Sequence, residues 1–419
     1  MALNYVWILF FVVGLVIALI KLILFQDYEI FKKMVEGIFD ASKSSVMDIA
    51  LPLTGVMVFF MGLMNIGEKA GAINFLARLL NPFMKRLFPE VPDKHPAMGQ
   101  MVMNFSANML GLDNAATPFG LKAMESLQTL NPQKETASNA QIMFLVLHTS
   151  GLTLIPLSII AYRAGAGSVN PTSVFVPLML ATSVATIASI LITGIYQRLK
   201  FDRVLIAWLG TIVTAIFLFA WFIQQLPSQK DIPVPTLLTK ETFSNVLGNI
   251  ILFLIICTFI IGGHLKKVNV FDAFIEGAKQ GWEVILKVIP YLVGMLVGIR
   301  VFRESGALEA IISGITWCFT AVGSSGEFVP ALPVAIMRPF SGGGARGLML
   351  DIFNTHGPDS FVGQLASTFQ GSADTTFYII ALYFGSVGIK KVRYAIWAGM
   401  LADLIGVIAA VGIAYIFFK

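Results

Sequence analysis

Long runs of apolar residues dominate this 419-residue chain. Many of the runs are about 20 residues long, which is the length an α-helix needs to cross the hydrocarbon core of a membrane. Apolar residues make up 56% of the sequence and charged residues 13%, about half of the charged share usual in soluble proteins. Such a chain cannot cover itself with polar surface, which excludes a soluble enzyme. The sequence predicts an all-α integral membrane protein with many spans.

The hydropathy pattern predicts where the spans lie. We expect full-length spans at 3–25, 46–66, 141–162, 173–196, 204–223, 245–263, 285–302, 372–389 and 395–418. The first of these has no basic leader and no small-residue cleavage site, so we interpret it as a retained span and not as a signal peptide. Four further apolar segments are too short or too interrupted to cross unbroken: 72–88, 97–112, 307–322 and 328–350. Two amphipathic stretches, 28–43 and 270–283, are typical of helices that lie in the plane of the membrane interface.

Charge predicts the orientation of the spans. Basic residues cluster in short junctions at 198–203, 266–267 and 390–393, and such loops favour the cytoplasmic side. The longest polar stretch, 224–241, contains three prolines and nearly balanced charges, so we expect it outside the cytoplasm. The net charge of +5 therefore indicates topology. No basic stretch is interleaved with aromatic residues, and no nucleic-acid partner is expected.

The two halves of the chain share a series of patterns in the same order, which indicates duplication. Residues 31–37 resemble 271–277, a proline-led span and a Gly-Ala turn follow each, and 148–153 resemble 370–375. The last span of the first copy ends in a basic loop, whereas the last span of the second begins at one. The copies are therefore expected to run in opposite senses, as in many secondary transporters with broken helices at the midplane. This predicts a first repeat at 1–200, a connecting span and linker at 201–244, and a second repeat at 245–419.

Each copy carries a segment in which helix breakers and polar residues interrupt apolar sequence. In the first, 104–122, the pair Asp113-Asn114 is expected to interrupt the helix, with Thr117 as N-cap of a new helix that begins at Pro118. In the second, 338–351, Ser341 is expected to cap a helix whose glycines let backbone N–H groups approach a ligand closely. The alternative is that both breaks are ordinary loops outside the membrane.

Repeated hydroxyl pairs, Ser150 with Thr153 and Ser372 with Thr375, follow these segments. Such hydroxyls often bond only their own backbone, but ionisable neighbours inside apolar sequence favour the lining of a cavity. The predicted substrate-binding residues are Asn108, Asn114, Thr117, Ser150, Thr153, Arg338, Ser341, Gly342, Gly343, Gln370, Ser372 and Thr375. The residues expected to couple or balance charge are Asp113, His148 and Asp374.

Two charged residues have alternative roles, and a third has one expected position. Arg338 is either a clamp for phosphate or carboxylate, or a structural partner of Asp351 or Asp374. Arg346 is expected to extend to the membrane interface. Asp403 either pairs with a neighbouring helix or carries protons.

The sequence contains no pattern of residues typical of catalysis, metal binding or nucleotide binding. The two cysteines, Cys257 and Cys318, lie far apart, and the four histidines form no metal-binding pair. The glycine-rich stretch 341–347 lacks the ending of a P-loop. We therefore expect neither a catalytic site nor a cofactor.

The broken segments also resemble known families. Segments 87–92, 104–122 and 136–140 resemble the spore maturation protein A family, and segments 266–279, 338–342, 359–363, 370–378 and 383–391 resemble the spore maturation protein B family. The resemblance covers nearly the whole chain, with the two parts joined through 197–245. Both families belong to the nucleoside-recognition, or Gate, group. The resemblance implies a bacterial inner-membrane protein, with transport and a role in spore-core dehydration as its expected functions.

Three functions remain open at this stage. The leading hypothesis is a secondary transporter or permease for a small polar or anionic solute, with its site between the repeats. The second is a membrane scaffold that positions a cell-wall carboxypeptidase, and the third is a flippase for a lipid or polyprenyl phosphate. Membrane lipid is an expected partner, and assembly of several copies is left open.

The predicted topology can be tested with single cysteines at Ser228, Lys200 and Lys390, in a background without Cys257 and Cys318. An impermeant thiol reagent on intact cells should label only the cysteine at 228, because the basic loops are expected on the cytoplasmic side. Labelling of Lys200→Cys as well as Ser228→Cys would contradict this topology.

Overall fold

The computed structural model describes residues 2–92, 94–200, 202–227, 239–321, 323 and 325–419, and its regular elements there are helical. The helices of the first half are α1 (Ala2–Phe25), α2 (Ile30–Ser44), α3 (Leu51–Lys69), α4 (Ala72–Leu87), α5 (Pro96–Met109), α6 (Asp113–Leu130), α7 (Asn139–Thr149), α8 (Leu157–Gly165), α9 (Phe175–Tyr196) and α10 (Arg203–Gln225). Those of the second half are α11 (Lys240–Leu265), α12 (Val270–Glu304), α13 (Ala307–Ala321), α14 (Leu332–Met337), α15 (Gly342–His356), α16 (Phe361–Gly371), α17 (Thr376–Ser386) and α18 (Ala395–Phe418).

Seven stretches of the described residues are long and apolar enough to cross a membrane, which confirms a helical, multi-pass membrane protein. They coincide with seven of the predicted spans: Trp7–Phe25, Ile30–Lys69, Pro171–Tyr196, Leu205–Gln225, Val246–Leu265, Val270–Glu304 and Ala395–Phe418.

The other two predicted spans are wrong as unbroken helices. The 141–162 span is divided into α7 and α8, because Gly151 has a φ of +57° and a right-handed helix cannot continue through such a residue. The 372–389 span begins later than expected, since residues 372–375 form the corresponding break between α16 and α17. The two breaks lie against each other in the interior of the molecule.

The amphipathic stretches also differ from the separate in-plane helices that we expected. The first, α2, continues through a π-helix (Ser45–Ala50) into α3, and the second is the beginning of the uninterrupted α12. Pro52 lacks the N–H that would bond four residues back, and that carbonyl, on Asp48, lies within the π-helix. The widened turn therefore accommodates the proline without ending the helix.

Helices that correspond in the predicted repeat pack against each other, α3 against α12 and α9 against α18. The α3–α12 contact is close because it is lined by glycines: a Cβ at Gly277 would lie 2.4 Å from the carbonyl oxygen of Met61. Asn65 adds a hydrogen bond of 2.7 Å from its amide to the carbonyl of Ala273. Small residues that allow backbones to approach are a main source of helix association in membranes.

The two broken pairs, α7–α8 and α16–α17, run antiparallel and meet at their breaks. The backbone N–H of Asp374 donates to the carbonyl of Thr149 at 2.7 Å. At one end, Arg163 in α8 bonds Asp359, just before α16. At the other end, Arg393 after α17 bonds the side chain of Asn139, the first residue of α7. This crossing agrees with inverted copies. The repeat and its domain limits stay a prediction, and residues 228–238 of the predicted linker lie outside the described residues.

Arg163 is the most completely bonded side chain at these ends. It is 0% exposed, and its guanidinium donates to the carbonyl of Pro358 at 2.5 Å and to Asp359 Oδ1 at 2.8 Å. Further donor bonds reach the carbonyls of Pro171 and Asn170 and the hydroxyls of Ser168, Ser173 and Ser367. One buried cation thus holds the loop after α8 and the loop before α16 together.

Replacement of Arg163 by Met should lower the free energy of unfolding by about 3–5 kcal/mol, because it leaves Asp359 and several carbonyls without their donor. Thermal or chemical unfolding of the purified protein in detergent measures this. Arg393→Met removes the same group from an exposed position and should cost about 1 kcal/mol or less. Equal effects of the two substitutions would show that the buried Arg163 contacts do not hold the crossing together.

Candidate functional site

A cavity of about 900 Å³ lies where the broken helices meet. It is lined by eleven residues predicted from the sequence, drawn from all four broken segments: Asn108, Thr117, His148, Thr153, Arg338, Ser341, Gly342, Gly343, Gln370, Asp374 and Thr375. The structure therefore brings these residues together, and their role in binding stays a prediction.

Two predicted residues, Ser150 and Ser372, do not line the cavity. Each lies at the end of its helix, where its hydroxyl donates to a carbonyl three residues back: Ser150 to Leu147 at 2.8 Å and Ser372 to Phe369 at 3.0 Å. Ser150 Oγ also lies 3.1 Å from Thr186 Oγ1. Both hydroxyls are used within the protein, as is common for serines in membrane helices. The side chains of Asp113 and Asn114 lie outside the described residues.

The first break lies earlier than predicted. The chain turns at Gly111, whose φ is +69°, and α6 begins at Asp113. Thr117 is therefore inside the helix and not its N-cap, and Pro118 follows within the second turn, where it removes one intrahelical bond. The carbonyl of Met109 at the end of α5 accepts from the N–H of Leu154 at 2.8 Å.

The second break begins as predicted with a capping serine. Ser341 Oγ accepts a hydrogen bond of 3.0 Å from the N–H of Gly344. The first N–H groups of α15, on Gly342 and Gly343, have no acceptor within their helix. A Cβ at Gly342 would lie 2.9 Å from both Arg338 Nη1 and Thr375 Oγ1. Only glycine leaves room for Arg338 beside the beginning of the helix.

Arg338 crosses from the second break to the segment after α16. Its Nε donates to the carbonyl of Gln370 at 2.8 Å and its Nη1 to Thr375 Oγ1 at 2.9 Å. Nη2 lies 3.8 Å from Asp374 Oδ1. Of the two acidic partners considered for Arg338, Asp351 is instead bonded to Arg303. The long distance to Asp374 leaves a loose ion pair in the wall of the cavity.

His148 connects Asp374 to the first copy. The ring is 2% exposed, and its Nε2 lies 3.5 Å from Asp374 Oδ2. On the other side, Nδ1 lies 2.9 Å from Asn108 Nδ2 and 3.0 Å from Asn104 Oδ1. Nδ1 can accept from the first asparagine or donate to the second, and the tautomer of the ring decides which.

The structure adds residues that we did not predict for the site. Tyr383 OH lies 3.4 Å from His148 Nδ1 and 3.3 Å from the amide nitrogen of Asn104. The spacing of Asn104 from Asn108, one helical turn, was the signal in the sequence for Asn104. Asp403 on α18 accepts from Thr376 Oγ1 at 2.7 Å, so it pairs with a neighbouring helix, and its role in proton carriage stays a prediction.

The expectation that Arg346 extends to the membrane interface is wrong. Its guanidinium carbon lies 4.9 Å from the ring centroid of Tyr162, and both residues line the cavity. Because Arg346 follows Gly342 by four residues in α15, the two share a face of the helix. That spacing was the signal available in the sequence.

Among the lining residues whose side chains the structure describes, the charged groups are two arginines and one aspartate, with one histidine beside them. Positive charge is in excess there whether or not His148 carries a proton. The N-terminus of α15 adds partial positive charge at the same place. The described residues include no group of three or more His, Cys, Asp or Glu side chains placed to hold a metal ion.

Cysteine accessibility tests whether this cavity holds water. In a background without Cys257 and Cys318, a charged thiol reagent should modify Thr117→Cys and Thr153→Cys, since these positions line the cavity. Ser150→Cys and Ser372→Cys are the matched controls and should resist modification, because the native side chains are 1% and 3% exposed. Similar reaction rates at all four positions would contradict the geometry of the cavity wall.

Comparison with known proteins identifies the family of this chain. The family model described as "Gate: Nucleoside recognition" matches residues 50–167 and 285–390, together more than half of the chain. The Bacillus subtilis (strain 168) spore maturation protein B is 48% identical over 165 residues, which cover 39% of this chain and 91% of that protein. Spore maturation protein A of the same organism is 40% identical over 202 residues, which cover 48% of this chain and 99% of that protein. No solved structure matches significantly. The chain therefore belongs to the Gate nucleoside-recognition family and joins regions homologous to spore maturation proteins A and B in one polypeptide.

Proposed function

We propose that this protein is a secondary transporter or permease for a small anionic solute, in the cytoplasmic membrane of a bacterium. The observation that carries the proposal is the cavity at the crossing of four broken segments, where, among the described side chains, Arg338 and Arg346 outnumber the carboxylate of Asp374. Broken helices around a polar site at the midplane are the arrangement that many transporters use for binding. A cavity of about 900 Å³ is large enough for a small metabolite.

The charges favour an anion over a cation or a neutral solute. Arg338 and Arg346 flank the first residues of α15, whose N–H groups favour negative charge. Asp374 is loosely paired with Arg338 at 3.8 Å and also faces His148 at 3.5 Å. An entering anion would take the place of Asp374 beside Arg338, while Asp374 keeps its contact with His148. Binding would then exchange one ion pair for another and offset the excess positive charge of the described wall.

A second candidate function is a membrane scaffold for a cell-wall carboxypeptidase. The observation that favours it is the extent of internal pairing: His148, Asn104, Asn108 and Tyr383 bond each other, as expected of an interior built for stability. The homologues named for spore maturation are compatible with either function. Transport requires a ligand to bind in the cavity, and a scaffold does not.

Substitution of Arg338 separates the two functions. Arg338→Lys should keep the fold but weaken anion binding, because a point charge cannot reproduce the bonds of the guanidinium fork. Arg338→Ala should weaken it roughly ten- to hundredfold. Asp374→Asn should leave anion binding equal or stronger, since it removes the competing carboxylate.

The measurement is uptake into proteoliposomes, together with thermal-shift titration, across carboxylates, phosphates, neutral nucleosides and divalent cations. Parent-like uptake by Arg338→Ala, or stabilisation by cations alone, would overturn the anion proposal. If no solute is taken up or stabilises the protein, the scaffold becomes the better explanation.

A further inference from the structure

One side chain in the cavity wall has a hydrogen-bond acceptor without a partner. Gln370 lies in the last turn of α16 and is 5% exposed. Its amide nitrogen donates to the carbonyl of Gly342 at 3.3 Å, and its backbone carbonyl accepts from Arg338 Nε. Its Oε1 has no hydrogen-bond partner among the described residues. Buried amide oxygens are rarely left in this state.

The Gly342 carbonyl fixes the orientation of this amide. A carbonyl can only accept, so the nitrogen of Gln370 must face it and the oxygen must face away. Arg338 donates to the Gln370 backbone carbonyl and to Thr375 and lies beside Asp374, whereas Gln370 Oε1 has no partner among the described residues. Because Gln370 lines the cavity, a molecule there can supply the donor that Oε1 lacks.

An unpartnered donor lies in the same wall. Arg346 Nε is buried and has no hydrogen-bond partner among the described residues. Arg346 and Gly342 share a face of α15, and Gly342 is also the residue that the Gln370 amide contacts. The wall around the beginning of α15 therefore lacks two things: an acceptor for its arginine and a donor for its glutamine.

We propose that the solute is a small anion with a hydroxyl group on the carbon next to its acidic group. This inference rests on the proposed anion site. The acidic group would bind the arginines and the N–H groups of α15, and the neighbouring O–H would donate to Gln370 Oε1. The two ligand groups must be close together, because Gln370 contacts Arg338 through its backbone and Gly342 through its side chain.

Three carboxylates of nearly equal size test this directly: L-lactate, L-alanine and propionate. They differ in having a hydroxyl, an ammonium or no donor beside the carboxylate. Binding to the purified full-length protein is measured by calorimetry and thermal shift. We expect L-lactate to bind about tenfold more tightly than propionate, the effect of one hydrogen bond to an otherwise unpaired acceptor. L-Alanine carries no net charge and should bind more weakly than L-lactate.

Variants assign that preference to Gln370. Gln370→Met keeps the length of the side chain but removes the acceptor, so the preference over propionate should disappear. Gln370→Glu keeps an acceptor and adds negative charge, so it should favour L-alanine over L-lactate. Gln364→Met, in the same helix but not in the cavity wall, is the matched control and should keep the parent preference.

The outcomes separate this inference from the proposed function. Equal affinity of the parent protein for all three carboxylates overturns the role of Gln370 and leaves the anion site intact. If none of them binds, and inorganic phosphate and sulfate do not bind either, the anion site itself is wrong. If Gln370→Met does not fold, the selectivity of the parent protein and of Gln370→Glu still decides between these outcomes.

Discussion

Backbone amide and carbonyl groups inside a membrane must find partners within the protein, because no water is present to bond them. The broken helices meet this requirement by bonding one another. Met109 accepts from Leu154, and Pro339 accepts from Phe377, while Thr149 accepts from Asp374 across the two copies. Helices can end in the middle of this molecule only because these bonds exist. The cavity, its exposed helix beginnings and its charges all follow from them.

The two halves of the chain share this backbone arrangement but differ in chemistry. In the second copy the break carries Arg338, and Ser341 caps the helix that follows. In the first copy Leu112 precedes the corresponding helix without a side-chain cap, and the polar groups nearby are the neutral Asn108 and Asn104 beside His148. Among the described side chains, one wall of the cavity is therefore cationic and the other is neutral and polar. Such a site would hold an asymmetric solute in one orientation.

Much of this could be predicted from the sequence, because apolar runs and capping residues act locally. Seven spans and the cap at Ser341 were found in this way. The break at Gly151 was missed because its positive φ depends on the bond between Thr149 and Asp374, which joins residues far apart in the chain. Ser150 was misjudged because a hydroxyl that bonds its own helix has the same sequence pattern as one that lines a cavity. Arg346 was misplaced because Tyr162, its partner, lies in the other copy.

The crossing at Arg163 and Asp359 has a consequence for how the protein is made. Each half of the chain completes the other: Ser168 and Val169, after α8, are bonded to Asp359 before α16, and Ala137 and Asn139, at the beginning of α7, are bonded to Arg393 after α17. Neither half could satisfy its buried polar groups alone. A single polypeptide supplies the halves in a one-to-one ratio and keeps them at high effective concentration in the membrane. Joining the copies therefore ensures that no half is synthesised without the partner it needs to fold.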